Sequence, residues 1–264
     1  MSARPCELYR CIVTQTGSIQ AGVSRGRSLV IWTVCCGLAA LVLLVYFAAS
    51  MSAGQGEPIM PLDDVYIHFQ YARQLAVGQP YVYNPGLPPT SGATSFLYPY
   101  ILAIGALLGF QGLWLGLWAM IVGALALAGS GWLVYRLTRA SLGDGLAGLL
   151  AAALILSGPV SWHFMSGMET GLVILFALLT LFGLMRDHQR TAVFGATLLT
   201  LIRPEGGALA AIAMTVLALR HLWGVGFARS HAGGPNSTIK ELLPLAIPLL
   251  ALGTQPLVNL LVTG

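Results

Sequence analysis

Charge is what this chain has least of. Of its 264 residues only 8% are Asp, Glu, Lys or Arg, and 56% are hydrophobic, where a soluble domain carries roughly 25% charged residues. A surface so poor in charge does not mostly face water, which excludes an ordinary soluble globular domain. The apolar residues come in continuous runs and do not alternate with polar ones. That excludes barrel strands and leaves helices, since in lipid every backbone polar group needs an internal partner. The four cysteines lack metal-ligand spacing: Cys6 and Cys11 lie in a polar tail, Cys35 and Cys36 inside an apolar run, so free thiols are expected. No internal repeat of the kind many transporters carry is visible. The net charge of +4 reads as membrane topology, and no nucleic-acid partner is expected.

What is present is a series of apolar segments. Ser28 to Ser50 is a 23-residue stretch without charge, enough to cross a hydrocarbon core of about 30 Å. It is longer than a signal-peptide core of roughly 15 residues, and no clear cleavage site follows, so it reads as a signal anchor. Further apolar segments cover 95–109, 112–135, 146–160, 168–185, 191–202, 206–219 and 242–262. The segment 191–202 gives only about 18 Å of helix at 1.5 Å per residue and does not span unaided. The fold class expected is all-α, a polytopic transmembrane helical bundle with a partly helical first extracytoplasmic loop. Residues 1–27 form a basic cytoplasmic tail of little fixed order, 28–50 the first transmembrane helix, 51–94 an outer loop, and 95–264 the remaining bundle.

The basic residues set the orientation. Arg4, Arg10, Arg25, Arg27, Arg136, Arg139, Arg186, Arg190, Arg220, Arg229 and Lys240 all fall in gaps that one alternation of crossings places in the cytoplasm, as the positive-inside rule prefers. Only Arg73 and Arg203 remain outside. The alternation requires 95–109 to be a re-entrant or surface-lying helix. It leaves the sequon Asn236–Thr238 on the cytoplasmic side, where it is not used. It also gathers three polar clusters on the outer side: Asp63–Asp64, Ser166 to Glu169, and Arg203–Pro204–Glu205. Ionisable groups at the ends of short membrane helices are costly and usually line a functional cavity. Trp162 and His163 fall at the same interface, where Trp is a common anchor.

The outer loop 51–94 has its own structure. Val65, Phe69, Ala72 and Ala76 recur at helical spacing over Val65–Val77, and Gly78 follows as a C-terminal cap. Asp63 or Asp64 caps the N-terminus, where the helix dipole favours an anion. His68 falls one turn after Asp64 on the same face. Asn84–Pro85–Gly86 reads as a turn. Each of these residues has more than one reading. The aspartates are a plain cap, or a general base for an acceptor hydroxyl, or a holder of a divalent cation against a phosphate. His68 is an exposed helix residue or part of a site, and Arg73 is a surface charge or a phosphate clamp. Glu169 is a cap for a helix starting at Thr170, or a site residue. Arg203 and Glu205 pair with each other, or line a cavity at the helix break that Pro204 makes.

The segment Asp63-Asp64-Val-Tyr-Ile-His68-Phe-Gln-Tyr71-Ala-Arg73, with Tyr83-Asn84-Pro85-Gly86 and Thr94-Ser95-Phe96-Leu97, resembles the first outer loop of the GT-C superfamily of membrane glycosyltransferases. Ser166-Gly167-Met168-Glu169-Thr170 and Leu201-Ile202-Arg203-Pro204-Glu205-Gly206 resemble two further motifs of that group, similar to arabinofuranosyltransferase-like and protein mannosyltransferase-like members. The resemblance covers roughly residues 28–264. It implies transfer of a sugar from a polyprenyl-phosphate donor to a glycan, lipid or protein hydroxyl, with inversion, at the outer face of the plasma membrane. Carried over, Asp64 or Asp63 is the catalytic base. Arg203, Glu205, Glu169, His68 and Arg73 are candidates for the substrate and its phosphate, and Asp63, Asp64 and Glu169 for any divalent cation. Members usually have more spans than are counted here, so the chain reads as the N-terminal portion of such an enzyme. A transporter or flippase and a non-catalytic assembly subunit are the other readings that the residues allow.

Overall fold

A computed structural model describes residues 5–90, 92–228 and 242–263, with side chains from 26–90, 92–222 and 242–262. The sequon at Asn236 and the basic residues Arg229 and Lys240 lie outside the described residues. Among the described residues the chain is all helical, with no strand. Helix α1 spans Pro5–Ala53, α2 Asp64–Ala76, α3 Tyr98–Leu107 and α4 Leu115–Leu156; α5 spans Gly158–Met165, α6 Thr170–Met185, α7 Gln189–Ile202 and α8 Gly206–Ala228. A 3₁₀ turn, Leu243–Ala246, then leads into α9, Ile247–Ala251, and α10, Thr254–Thr263.

Among the described residues two stretches are long and apolar enough to cross a membrane, Gly26–Ala53 and Gly112–Leu156. Two bent pairs, α5 with α6 at 110° and the last two helices at 46°, raise the number to four if each is one span. The first apolar run behaves as its length predicts. The tail does not: helical backbone begins at Pro5, so α1 continues through the segment expected to have little order. The segment 242–262 also departs from the simple reading. Pro244, Pro248 and Pro256 each remove a backbone donor, and the chain bends around Gly253 instead of running straight.

Helix α4 is two arms. Gly143 has φ 76° and ψ 167°, a region reserved for glycine, and the chain reverses there. A continuous helix would separate residues 131 and 151 by about 30 Å; instead a Cβ built on Gly131 would lie 3.5 Å from the Ala151 carbonyl oxygen and 2.6 Å from Ile155 Cδ1. The second arm therefore returns along the first, and Tyr135 closes the hairpin by donating to Asp144 at 3.0 Å. The separation of 112–135 from 146–160 read in the sequence corresponds to these arms. By contrast α3 has ten residues, about 15 Å of helix, half of what a span needs.

Successive helices run between two polar ends. At one end Arg27 pairs with Asp144 at 3.1 Å, Arg186 donates to the Arg136 carbonyl at 2.6 Å, and Arg220 donates to the Leu184 carbonyl at 2.8 Å. At the other end lie α2, α3, the α5–α6 break and the α7–α8 break. The main core joins α1 to α6 through Leu102, Leu115, Met120, Leu127, Tyr135 and Ile155, and a smaller one joins α7 to α8 through Ala196, Ala210 and Met214.

Candidate functional site

Helix α2 is built as its sequence indicates. The Asp63 carboxylate accepts the Asp64 N–H at 3.0 Å. At the other end Gln79 N–H reaches the Gln74 carbonyl at 2.8 Å and Gly78 N–H the Leu75 carbonyl at 3.1 Å, the paired bonds of a glycine C-terminal cap. Leu87 N–H closes the Asn84–Pro85–Gly86 turn on the Asn84 carbonyl. Val65, Phe69 and Ala72 face the core, and His68 is buried with them at 2% exposure. The reading of His68 as an exposed helix residue is thereby corrected.

Two of the polar clusters meet at Glu169, and His68 of α2 stands beside them. Glu169 holds the N-cap position of α6, as the cap reading has it, but its side chain makes no capping bond there and has no exposure. Arg203 Nε donates to Glu169 Oε1 at 2.7 Å. His68 Nε2 stands 3.5 Å from Glu169 Oε2. That separation is long for a hydrogen bond, and both Glu169 Oε2 and His68 Nδ1 are buried without a hydrogen-bond partner among the described residues. Of the two readings of Arg203 and Glu205, the pair between them is not formed. Glu205 is exposed, and the Arg203 side chain turns to Glu169.

Local sequence explains the geometry. A residue before proline is pushed from the helical region to the extended one. Arg203, before Pro204, has φ −147° and ψ 128°, so it leaves the axis of α7 and reaches across to α6. The opposite strand of the contact is set by Gly167, with φ +82°; a Cβ there would meet Met60 Sδ at 2.8 Å and Val65 Cγ1 at 3.0 Å. This permits the 110° turn between α5 and α6 that presents Glu169. Tyr98, at the start of α3, donates to the Gly167 carbonyl at 2.5 Å. Its ring lies edge-on to His68 with centroids 5.4 Å apart. Leu97 N–H donates to the Leu201 carbonyl at 3.1 Å, tying α3 to the end of α7.

Burial pushes the His68 imidazole below its ordinary value; Glu169 opposes this, Arg203 adds to it and Asp64 opposes it. The ring is therefore held neutral near pH 7, and the charged pair in the site is Glu169 with Arg203. Arg203 is gripped through Nε alone. Its terminal nitrogens make no hydrogen bond among the described residues, and its side chain is 34% exposed. A guanidinium held in this way keeps its outer fork for a planar or tetrahedral anion. Asp64 is exposed one turn from His68 and Asp63 is occupied by its cap.

Arg73 is placed elsewhere. Its Nη2 donates to the Gly112 carbonyl at 2.8 Å, between α2 and the start of α4. Trp162 and His163 stack edge-on at 5.2 Å, and the His163 carbonyl accepts the Thr170 hydroxyl at 2.7 Å. No group of three His, Cys, Asp or Glu side chains placed to hold a metal ion occurs among the described residues. Tyr98 was not singled out by sequence, which offers no signal for it beyond an aromatic at a helix start. Comparisons with known protein families, with characterised proteins and with solved structures find no match to this chain.

Proposed function

We propose that this chain is a polytopic membrane glycosyltransferase of the GT-C type. It moves a sugar from a polyprenyl-phosphate donor to an acceptor hydroxyl at the outer face of the plasma membrane. The observation that carries the reading is the buried Glu169 holding Arg203 by Nε, with the outer fork of the guanidinium free and the Asp64 carboxylate exposed one turn from His68. The acceptor hydroxyl gives its proton to Asp64 as general base while its oxygen bonds to the anomeric carbon from the face opposite the phosphate. The anomeric carbon–oxygen bond breaks, the electron pair leaves with the lipid phosphate, and the configuration inverts. Arg203 meets the charge that grows on that phosphate, an electrostatic stabilisation set up before the reaction begins. Glu169 is a positioning residue that fixes Arg203, and His68 and Tyr98 wall in the carboxylate. A divalent cation on Asp63 and Asp64 would share the phosphate charge.

One observation favours a second reading. A buried charge at a 110° break between apolar helices also suits the substrate path of a transporter or flippase. The test separates the two. Single cysteines at 64, 138, 169 and 204 in a cysteine-free chain are labelled from outside with an impermeant reagent, and transfer from a polyprenyl-phosphate sugar is assayed in the same membranes. Labelling at 64 and 204 but not 138, with transfer lost in Asp64→Asn, is the expected result. Position 169 is buried and reports only once the cluster is opened by Arg203→Ala. Labelling at 138 overturns the topology. Transfer undiminished in Asp64→Asn removes Asp64 as base, and substrate uptake into sealed vesicles without any transfer supports the transporter.

A further inference from the structure

The end of the bundle opposite Glu169 carries an arrangement that sugar transfer does not use. Arg27, Arg136, Arg139, Arg186 and Arg220 fall there with two carboxylates, Asp144 and Asp187. Both carboxylates are engaged, Asp144 by Arg27 at 3.1 Å and Asp187 by Arg220 at 3.5 Å. Arg136 has no ion pair among the described residues. Its guanidinium lies over the Trp132 ring at 4.8 Å and the Phe182 ring at 5.4 Å, and its Nε is buried with no acceptor. The charges that bear on it most are Arg139 and Arg186, both cations. Stacking on aromatic rings stabilises a guanidinium, but it leaves the charge of Arg136, with Arg186 beside it, without a carboxylate among the described residues, and Arg139 shares Asp144 with Arg27. Such a cluster draws an anion.

Trp132 is also a wall of the groove beside this cluster. Between α1, α4 and α6 lies an open cavity of about 600 Å³, lined by Leu29, Trp32, Gly129, Trp132, Leu175 and Leu179. Trp32 meets Trp132 edge-on at 5.8 Å. The walls are apolar, which suits a hydrocarbon chain and gives a peptide backbone almost nothing to bond. The charge stands at one end of the groove, on the side that the basic residues assign to the cytoplasm. Basic pockets at that depth between membrane helices recognise anionic lipid head groups.

We infer that this groove binds an anionic phospholipid, with an acyl chain lying along the wall that Trp32, Trp132 and Leu179 form and the phosphate on Arg136 and Arg139. The inference rests on α1 and α4 standing in a bilayer and not on the transfer reaction, so its test uses neither sugar donor nor acceptor. The full chain, delipidated in mild detergent, is titrated with phosphatidylglycerol or phosphatidylcholine carrying a photoreactive acyl chain, and the crosslinked peptides are mapped. Phosphatidylglycerol is expected to label peptides holding Trp32, Trp132 or Leu179, with phosphatidylcholine at least tenfold weaker. Each arginine near an anionic head group contributes about fivefold in affinity. Arg139→Gln should therefore raise the half-saturating concentration about fivefold, and the double change with Arg136→Gln about 25-fold. Should loss of the Trp132 stack prevent Arg136→Gln from folding, Arg139→Gln and the groove-filling Leu179→Trp carry the test. Equal labelling by the two lipids, label spread over the outer face of α1, or unchanged affinity in Arg139→Gln overturns the inference.

Discussion

Replacing one member of the Glu169–Arg203 pair should damage the protein far more than replacing the other. Arg203→Met removes the only hydrogen-bond partner, among the described residues, of a carboxylate with no exposure. Leaving a buried charge without its partner costs about 3–5 kcal/mol. Glu169→Gln strips the pair from the other side. The Arg203 side chain is 34% exposed, so its charge turns to solvent, and the amide oxygen that replaces the carboxylate still accepts from Nε. The loss then approaches that of an exposed pair, about 1 kcal/mol. For a chain of this size 1 kcal/mol moves a thermal midpoint by about 2–4 °C, so the two single variants should differ by on the order of 4–16 °C. The double variant buries no charge and should recover much of what Arg203→Met loses, a coupling a double-mutant cycle reads directly. The assay is thermal unfolding of the detergent-purified chain at pH 7.5, followed by tryptophan fluorescence. Equal losses in the two single variants, or a double variant as unstable as the sum, would refute the reasoning.

The remaining expectations concern the helices around the site. Asp63→Ala should remove the cap of α2 and cost about 1 kcal/mol, read as faster amide exchange in Asp64–Ala76, with membrane insertion unchanged. Gly143→Ala places a side chain in a backbone region reserved for glycine and should lose about 1–3 kcal/mol of stability, while Gly145→Ala, whose Cβ would meet nothing within 4 Å, should stay within about 0.5 kcal/mol; a Gly143→Ala midpoint equal to that control would remove the strain argument. His68 gives a pH dependence. Its folded value is depressed by burial from the ordinary 6.5, so the docking of α2 is fully present above that pH and weakens as the pH falls below it, because the released imidazole binds the proton more readily. Protection factors of α2 amides, corrected for the intrinsic pH dependence of exchange, should be lower at pH 5 than at pH 7.5, and His68→Phe should flatten the difference. Equal protection factors at both pH values in the parent chain would mean that burial does not hold His68 neutral.

Helix α2 was legible because several local signals agree there: the apolar period, an aspartate before it, and a glycine after it. The breaks were legible for the same reason, since Pro204 acts on Arg203 through the backbone of adjacent residues. The partner of Glu169 was not. Arg203 lies 34 positions away in sequence, and two charged residues at separate breaks become a pair only when α6 and α7 pack side by side. Nothing in either motif states whether Arg203 faces Glu169 or its near neighbour Glu205; the extended backbone before Pro204 decided it. Arg73 shows the opposite failure. A cation in an acidic loop invites a role in the site, but position 73 on α2 sends the side chain to the Gly112 carbonyl. The bend of 242–262 was underweighted because its apolar count hides three prolines.

The two breaks and the start of α3 are physically one device. Each interruption of an apolar helix frees backbone groups that must find partners, and here they find one another. The carbonyl of Gly167 takes the Tyr98 hydroxyl, the carbonyl of Leu201 takes the Leu97 N–H, and Thr170 turns its hydroxyl back to the His163 carbonyl. The α3 segment is thus stitched to the break before α6 and to the end of α7 at once, although it is too short to span. With the backbone satisfied in this way, the side chains at the breaks are left to one another. Glu169 is closed in and spends its charge on a single nitrogen of Arg203. The consequence is a guanidinium whose direction is fixed from behind and whose front is open, beside a loop helix that ends in two aspartates. A cap and a surface charge would need none of these cross-connections, and that is the physical ground for reading the cluster as a site.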